Sequence, residues 1–296
     1  MIWRNPCMTL RRFAYTCAMS APAVSPATSP WPRLAFIGGG HMAQAIIGGL
    51  RQGGMSADLM QVVEPQAELR DRLASQWQVS SVAQPGEALA HVDMVVWAVK
   101  PQVFAQAAAP CRAWVARAAH LSIMAGVRCH TISAATGSDA VVRAMPNTPA
   151  LIGQGMAALY AQPQTSVVQQ QWAQSVLAAT GQTLWVSREE DLDAVTALSG
   201  SGPAYVFYFL EAMMQAGEEM GLSAAQARQL AQQTFAGAAA LAAGSPLSPA
   251  QLREQVTSKG GTTQAALSSL HDSGVAQAIV RALHAARDRA RELGQG

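Results

Sequence analysis

From Arg33 onwards, short apolar runs alternate with amphipathic stretches. Arg33-Leu34-Ala35-Phe36-Ile37 reads as a short strand, and the helix that follows its glycine turn carries Met42, Ala45, Ile46 and Leu50 on one face. Leu59 to Glu64 reads as a second strand and Glu68 to Gln76 as a charged surface helix. Val92 to Val99 (VDMVVWAV) is almost continuously apolar, as expected of a strand covered on both faces. His120 to Met124 and Ala140 to Met145 read as further strands. Strands that alternate with helices predict a parallel, doubly wound sheet.

The pattern changes after about Ser187, where the strand signal disappears. Helices are predicted over Glu190 to Leu198, Pro203 to Met220, Ala224 to Ala243, Pro249 to Val256, Thr262 to His271 and Val275 towards Leu293. The breaks at Gly221-Leu222-Ser223, Gly244-Ser245-Pro246 and Ser273-Gly274 have the chemistry of caps and turns. These helices carry Ala, Gly and Met on several faces, so more than one face has to be buried. A second subunit is one way to bury them; a compact monomeric bundle is the other. The organisation expected is an extension over residues 1–32, a sheet domain over 33–187 and a helical domain over 188–296.

Composition narrows the class. The chain has 296 residues and a net charge of +2, long enough for two domains and without the basic excess of a nucleic-acid binder. Four cysteines (Cys7, Cys17, Cys111, Cys129) form no CxxC pair, which argues against a zinc site or disulfide framework and suits a reducing cytoplasm. No apolar run reaches the roughly 18 residues of a membrane span. No acidic residue precedes Asp58, and Arg4, Arg11 and Arg12 give the start a transit-peptide flavour. The Pro/Ala/Ser stretch from Ala21 to Pro32, and Met8 or Met19 as other starts, favour a disordered extension instead.

Gly38-Gly39-Gly40-His41-Met42-Ala43 is a GxGxxA turn between a strand and a helix. Gly38 makes the tight turn, Gly40 admits a pyrophosphate, Ala43 lets helix and sheet approach, and the helix start attracts the phosphate charge. These features define a Rossmann-like dinucleotide site, in which His41 contributes its backbone. Ile37 to Met42 are its first candidate contacts. Glu64 ends the second strand where a carboxylate takes the ribose 2′-OH, which favours NADH. Ala98-Val99-Lys100-Pro101 ends another strand, on the side of the sheet where ligands bind. Lys100 matters because Lys100 and Lys259 are the only lysines. Met124-Ala125 and Asn147, within Met145-Pro146-Asn147-Thr148-Pro149, complete the cofactor candidates; Asn147 suits a turn-forming role almost as well.

The second cluster lies far downstream, in Val256-Thr257-Ser258-Lys259-Gly260-Gly261-Thr262-Thr263-Gln264. Adjacent glycines let backbone approach a ligand, and N–H and hydroxyl groups at a helix start hold a small anion. An N-cap for the following helix explains one hydroxyl but not the Gly-Gly-Thr-Thr run. Leu198-Ser199-Gly200-Ser201-Gly202-Pro203-Ala204-Tyr205, at another helix entry, is given a supporting role.

Taken in order, GGGHMA, MPNTP, SGSGPAY and VTSKGGTTQAAL resemble the pyrroline-5-carboxylate reductases over nearly everything from Leu34 to Leu293. The departures are His41 where Asn is frequent, Lys259 where Pro is common, His271, and the long N-terminus. The resemblance implies an NADPH-dependent enzyme, NADH being accepted by many members, that reduces the cyclic imine 1-pyrroline-5-carboxylate to L-proline. It implies an intertwined homodimer, often assembled further, with the helical dimerisation domain completing the partner's site. Such a substrate has one carboxylate and one ring nitrogen. Ser258, Gly260, Gly261 and Thr262 are the candidates for the carboxylate, with Lys259 adding charge nearby. Thr263 is the candidate catalytic residue, its Oγ facing the imine nitrogen. No metal is implied.

Rival readings come from three classes. A β-hydroxyacid dehydrogenase uses a lysine on a helix of its second domain, and no lysine lies between Lys100 and Lys259, so that site has no candidate. An imine reductase of another class shares the hydride chemistry and stays open. A nucleotide sensor without turnover would not need the Gly-Gly-Thr-Thr loop.

Overall fold

A computed structural model describes residues 31–294 of the chain. The extension expected over residues 1–30 lies outside the described residues. The described chain divides into two compact units, residues 31–212 with 268–294, and residues 213–267.

The first unit is built on an eight-stranded sheet. In chain order its elements are β1 (Leu34–Ile37), α1 (His41–Gln52), β2 (Met60–Val63), α2 (Ala67–Trp77), β3 (Ser80–Val82), β4 (Met94–Trp97), the short helices α3 (Phe104–Ala108) and α4 (Arg112–Val115), β5 (Ala119–Ser122), α5 (Cys129–Thr136), β6 (Val141–Met145), β7 (Gly155–Ala161), α6 (Val167–Ala178), β8 (Gly181–Trp185) and α7 (Asp191–Val195). The strand order is β3-β2-β1-β4-β5-β6-β7-β8. All neighbours are parallel except β6 and β7, so the expected parallel sheet acquires an antiparallel joint at that pair.

The strands expected from the apolar runs correspond to β1, β2, β4, β5 and β6. Alternation along them sorts side chains onto two faces. Leu34, Phe36, Val62, Val96 and Leu121 pack against Ile46, Ile47 and Leu50 of α1 and Val176 of α6. Ala35, Ile37, Val95 and Trp97 pack with Phe104, Val115 and Ile132 on the other face. Each fully buried Leu, Ile or Phe contributes roughly 1.5–3 kcal/mol, so the two layers together hold the sheet.

The apolar pattern did not announce β3, β7, α6 or β8. Ser80–Val82 is short and polar, and pairing with β2 makes it a strand. α6 begins with a capping box in which Ser166 and Gln169 satisfy each other's backbone N–H groups.

One polar pair lies inside the second layer. Trp97 Nε1 donates to His120 Nδ1 at 3.0 Å, and both residues are fully buried. Burial pushes the His120 imidazole down to about 4, so the ring is neutral at pH 7.

The second unit contains only helical segments. α8 (Gly202–Glu219) enters it, and α9 (Ala224–Gly244) and α10 (Pro249–Gln255) lie within it; α11 (Thr262–Asp272) leaves it, and α12 (Val275–Leu293) follows. Gly221, at φ +95°, ends α8, and Ser223 with Gln226 caps α9. At Gly217 a Cβ would stand 2.9 Å from that of Ala227, so α8 and α9 approach closely there. Only Gly217, Ala227 and Ala231 are buried in this unit, while Met220, Leu230 and Leu241 are exposed.

Because the folded state resists protonating His120, the unfolded chain binds more protons between about pH 6.5, the ordinary histidine value, and the folded value of about 4. Stability is therefore full above pH 6.5 and declines as pH falls through that window. Urea midpoints at pH 7.5 and pH 5 are expected to differ by the equivalent of about 2 kcal/mol through this residue. In His120→Phe that component of the difference should vanish.

Candidate functional site

The switch point of the sheet lies between β1 and β4, the strands from which the chain turns in opposite directions. Gly38, just after β1, takes φ +98°, and a Cβ there would meet the Ala98 carbonyl oxygen at 2.7 Å. Two strand ends meet backbone to backbone, so only glycine fits. The Gly38 N–H donates to Val63 O at 2.9 Å, and the Ala98 N–H to Ile37 O at 2.9 Å.

Past the turn, α1 starts without a side-chain cap and with no acidic residue in its first turn. The N–H groups of Gly40, His41, Met42 and Ala43 have no acceptor among the described residues. Uncapped donors at the positive end of a helix fit a pyrophosphate. His41 is exposed, and Met42 packs on the first apolar layer.

Glu64, following β2, is 5% exposed. Its Oε2 accepts the Gly39 N–H at 2.8 Å and its Oε1 the Gln66 N–H at 2.9 Å. The Arg70 guanidinium reaches the carbonyls of Glu64 and Pro65 rather than the carboxylate. Lys100 is exposed and Pro101 half-buried at the start of the turn after β4.

Several expected contacts take other parts. The side chains of Ile37 and Met124 lie in the second apolar layer, and Val99 packs against it. Ile37 and Met124 can thus offer a ligand only backbone, because the alternation of β1 and the turn after β5 point their side chains into the core. Ala125 remains half-buried beside them. The Asn147 amide is tied to the protein: Nδ2 donates to Ser199 O and Oγ at 3.3 and 3.2 Å, and Oδ1 accepts the Met156 N–H at 2.9 Å and keeps one lone pair. Its side chain braces the end of β6 against β7 and the π turn Thr196–Gly200.

Sequence reasoning passed over a cluster that fixes the same region. Arg143 Nη1 pairs with Glu189 Oε1 at 2.7 Å, and Arg128 Nη2 with Asp193 Oδ2 at 2.8 Å. The Cys129 N–H donates to the same Glu189 oxygen at 2.7 Å. Burial works against the Glu189 charge, yet the Cys129 N–H and the Arg143 guanidinium hold its carboxyl below the ordinary range. The available signal was an arginine inside an apolar strand, with an acidic run, Glu189-Glu190-Asp191, at the start of α7.

In the Ser258 to Thr263 loop, Gly260 takes φ +74° and turns its N–H onto Gln264 Oε1 at 2.5 Å. The Gly261 N–H donates to Ser258 O at 3.1 Å. Of the three backbone donors expected to form the anion nest, those of Gly260 and Gly261 are therefore engaged within the loop. Thr262 and Thr263, the first two residues of α11, keep N–H and Oγ groups with no acceptor among the described residues. A Cβ on Gly261 would lie 2.5 Å from Ser258 Oγ, so Gly261 makes room for that hydroxyl. Lys259 is exposed. Among the described residues no group of His, Cys, Asp and Glu could hold a metal ion. No helix among them is long and apolar enough to cross a membrane.

A glycine turn at a sheet switch point, next to free helix-start donors, has the form of a dinucleotide-binding site; the comparisons with known proteins give the class, a dinucleotide-dependent oxidoreductase. The family model described as NADP oxidoreductase, coenzyme F420-dependent, matches residues 33–126, and that for pyrroline-5-carboxylate reductase dimerisation matches residues 189–293. The chain is 45% identical to the pyrroline-5-carboxylate reductase of Pseudomonas aeruginosa, over 89% of this chain and 97% of that one. It resembles the solved pyrroline-5-carboxylate reductase of Coxiella burnetii with a TM-score of 0.84 and 34% identity, over 89% and 99% of the two chains. A Plasmodium falciparum pyrroline carboxylate reductase, solved with NADP bound, superposes with a TM-score of 0.80 at 26% identity, over 89% and 98%. The chain belongs to the pyrroline-5-carboxylate reductase family.

Gly38→Ala is expected to weaken NAD(P)H binding at least about tenfold, since a Cβ at positive φ forces β1 and β4 apart; a fluorescence titration of the nucleotide checks it. Arg143→Met should cost about 1–3 kcal/mol in denaturant unfolding, because it leaves the half-buried Glu189 carboxylate without its cation.

Proposed function

We propose that the chain is a pyrroline-5-carboxylate reductase, converting 1-pyrroline-5-carboxylate to L-proline with NAD(P)H. The observation that carries this reading is the pair of free threonines, Thr262 and Thr263, at the start of α11 in a chain that also holds a dinucleotide turn. A ring with one carboxylate and one imine nitrogen needs anion donors and a polar partner side by side, and the start of α11 offers both.

In this reading the N–H groups of Thr262 and Thr263 and the hydroxyls of Ser258 and Thr262 receive the carboxylate. The Gly260 and Gly261 turn shapes the approach, and Lys259 adds positive charge. Thr263 Oγ bonds the ring nitrogen and fixes which carbon is presented. When bound, the nicotinamide supplies the hydride. The backbone N–H groups of Gly40 to Met42 hold the pyrophosphate, Gly38 and Gly39 let it approach, Glu64 faces the adenosine ribose, and Ala98 to Pro101 with Met124 and Ala125 border the nicotinamide half. The iminium form is already electrophilic, so positioning and electrostatics supply the catalysis.

The functional modules of this reading are residues 33–187 and 188–296, and the ranges of the two family models support that division. The second module pairs two chains as a homodimer; the exposed Met220, Leu230 and Leu241 support this, because an apolar helical surface needs cover. Cys111 and Cys129, both free and buried, suit the cytoplasm.

The test is oxidation of NADH and NADPH with 1-pyrroline-5-carboxylate, with proline as the product measured. Thr263→Ala should lower kcat/KM for the imine about 100-fold or more while nucleotide affinity stays within about twofold. No turnover with either nucleotide, in protein that binds one, would overturn the reading.

A further inference from the structure

Glu64 stands where a dinucleotide with an extra phosphate differs from one without it, since the end of β2 is where the adenosine ribose lies in this fold. We infer that Glu64 makes this chain prefer NADH over NADPH. The inference rests on the proposed dinucleotide site.

Beyond the spacing, the carboxylate is held at both of its oxygens. Both oxygens are tied to backbone, to the Gly39 N–H at 2.8 Å and the Gln66 N–H at 2.9 Å. Gly39 closes over it: a Cβ at Gly39 would lie 3.3 Å from Glu64 Cγ. A surface glutamate would swing aside for a 2′-phosphate; this one would release two hydrogen bonds and disturb the glycine turn. Each carboxylate oxygen still has a second lone pair for a ribose hydroxyl.

The surrounding charges do not compensate. Arg70, the basic side chain nearest in sequence, holds the carbonyls of Glu64 and Pro65 with one nitrogen, and forms no ion pair with the Glu64 carboxylate. Pro65, Gln66 and Ala67, which lead into α2, carry no charge, and the acidic residue in its first turn is Glu68. Asp71 and Arg72 lie exposed farther along α2. A 2′-phosphate would therefore meet a fixed negative charge that is only slightly exposed, where Coulomb repulsion is weakly screened.

The test is direct titration of the protein with NADH and with NADPH, followed by nucleotide fluorescence, so that it does not depend on turnover. NADH should bind roughly tenfold or more tightly, and the advantage should shrink as salt is raised. In Glu64→Gln, which keeps the shape and one acceptor, NADPH should strengthen towards parity. Gln66→Arg, which leaves the Glu64 carboxylate in place, should also strengthen NADPH. Equal or tighter binding of NADPH by the unaltered protein overturns the inference, as does an NADH preference that neither salt nor Glu64→Gln reduces. NADH preference without imine turnover would uphold the role of Glu64 while sinking the proposed reaction. Imine turnover with NADPH preferred would do the reverse.

Discussion

The approach of the Gly38 backbone to the Ala98 carbonyl is the constraint on which the nucleotide side of this molecule depends. Two parallel strands end side by side, and the turn leaving one of them must pass over the other. The contact leaves no room for a Cβ, so the first residue of the turn is glycine in a left-handed conformation. That conformation directs the following backbone into α1 with four N–H groups still uncommitted. The Glu64 carboxylate then secures the turn from the other side through Gly39. The proposed phosphate cradle and ribose end of the site are thus one structure, held by backbone geometry more than by side chains.

A second set of interactions carries order from the sheet towards the helical part. Arg143 on β6 and Arg128 before α5 pair with Glu189 and Asp193, and Asn147 ties the end of β6 to Ser199. Each of these partners is expensive to leave alone once buried. The segment entering α8 is therefore fixed by charge and hydrogen bonding, whereas the sheet is fixed by apolar layers. The Met145-Pro146-Asn147 stretch, which resembles a cofactor contact in sequence, also serves as a brace.

The helical unit follows a different rule. Small residues allow α8 and α9 to approach at Gly217 and Ala227, and capping boxes at Ser223 and Ser248 satisfy helix starts locally. Its larger apolar side chains stay at the surface. Local signals define its helices well, which explains why their ends were legible from caps and turns.

What the sequence determined by itself was set by short-range chemistry. Apolar runs marked β1, β2, β4, β5 and β6, and the GxGxxA turn and Gly-Gly-Thr-Thr loop marked the two candidate clusters. The strands β3, β7 and β8 were not legible, because short polar or Ala- and Gly-rich segments become strands only when a neighbouring edge accepts their hydrogen bonds. Tertiary structure also decided which donors remain free. Gly260, Gly261 and Thr262 looked like the anion nest, but Gln264 and the Ser258 carbonyl take the two glycine N–H groups and leave those of Thr262 and Thr263. Asn147 and Glu64 were legible as polar residues at strand ends. Whether each faces a ligand or the protein depends on partners that are distant in the chain: Ser199 and Met156 for one, Gly39 for the other. A hydrogen bond is decided by where both of its ends lie, and sequence gives the position of only one.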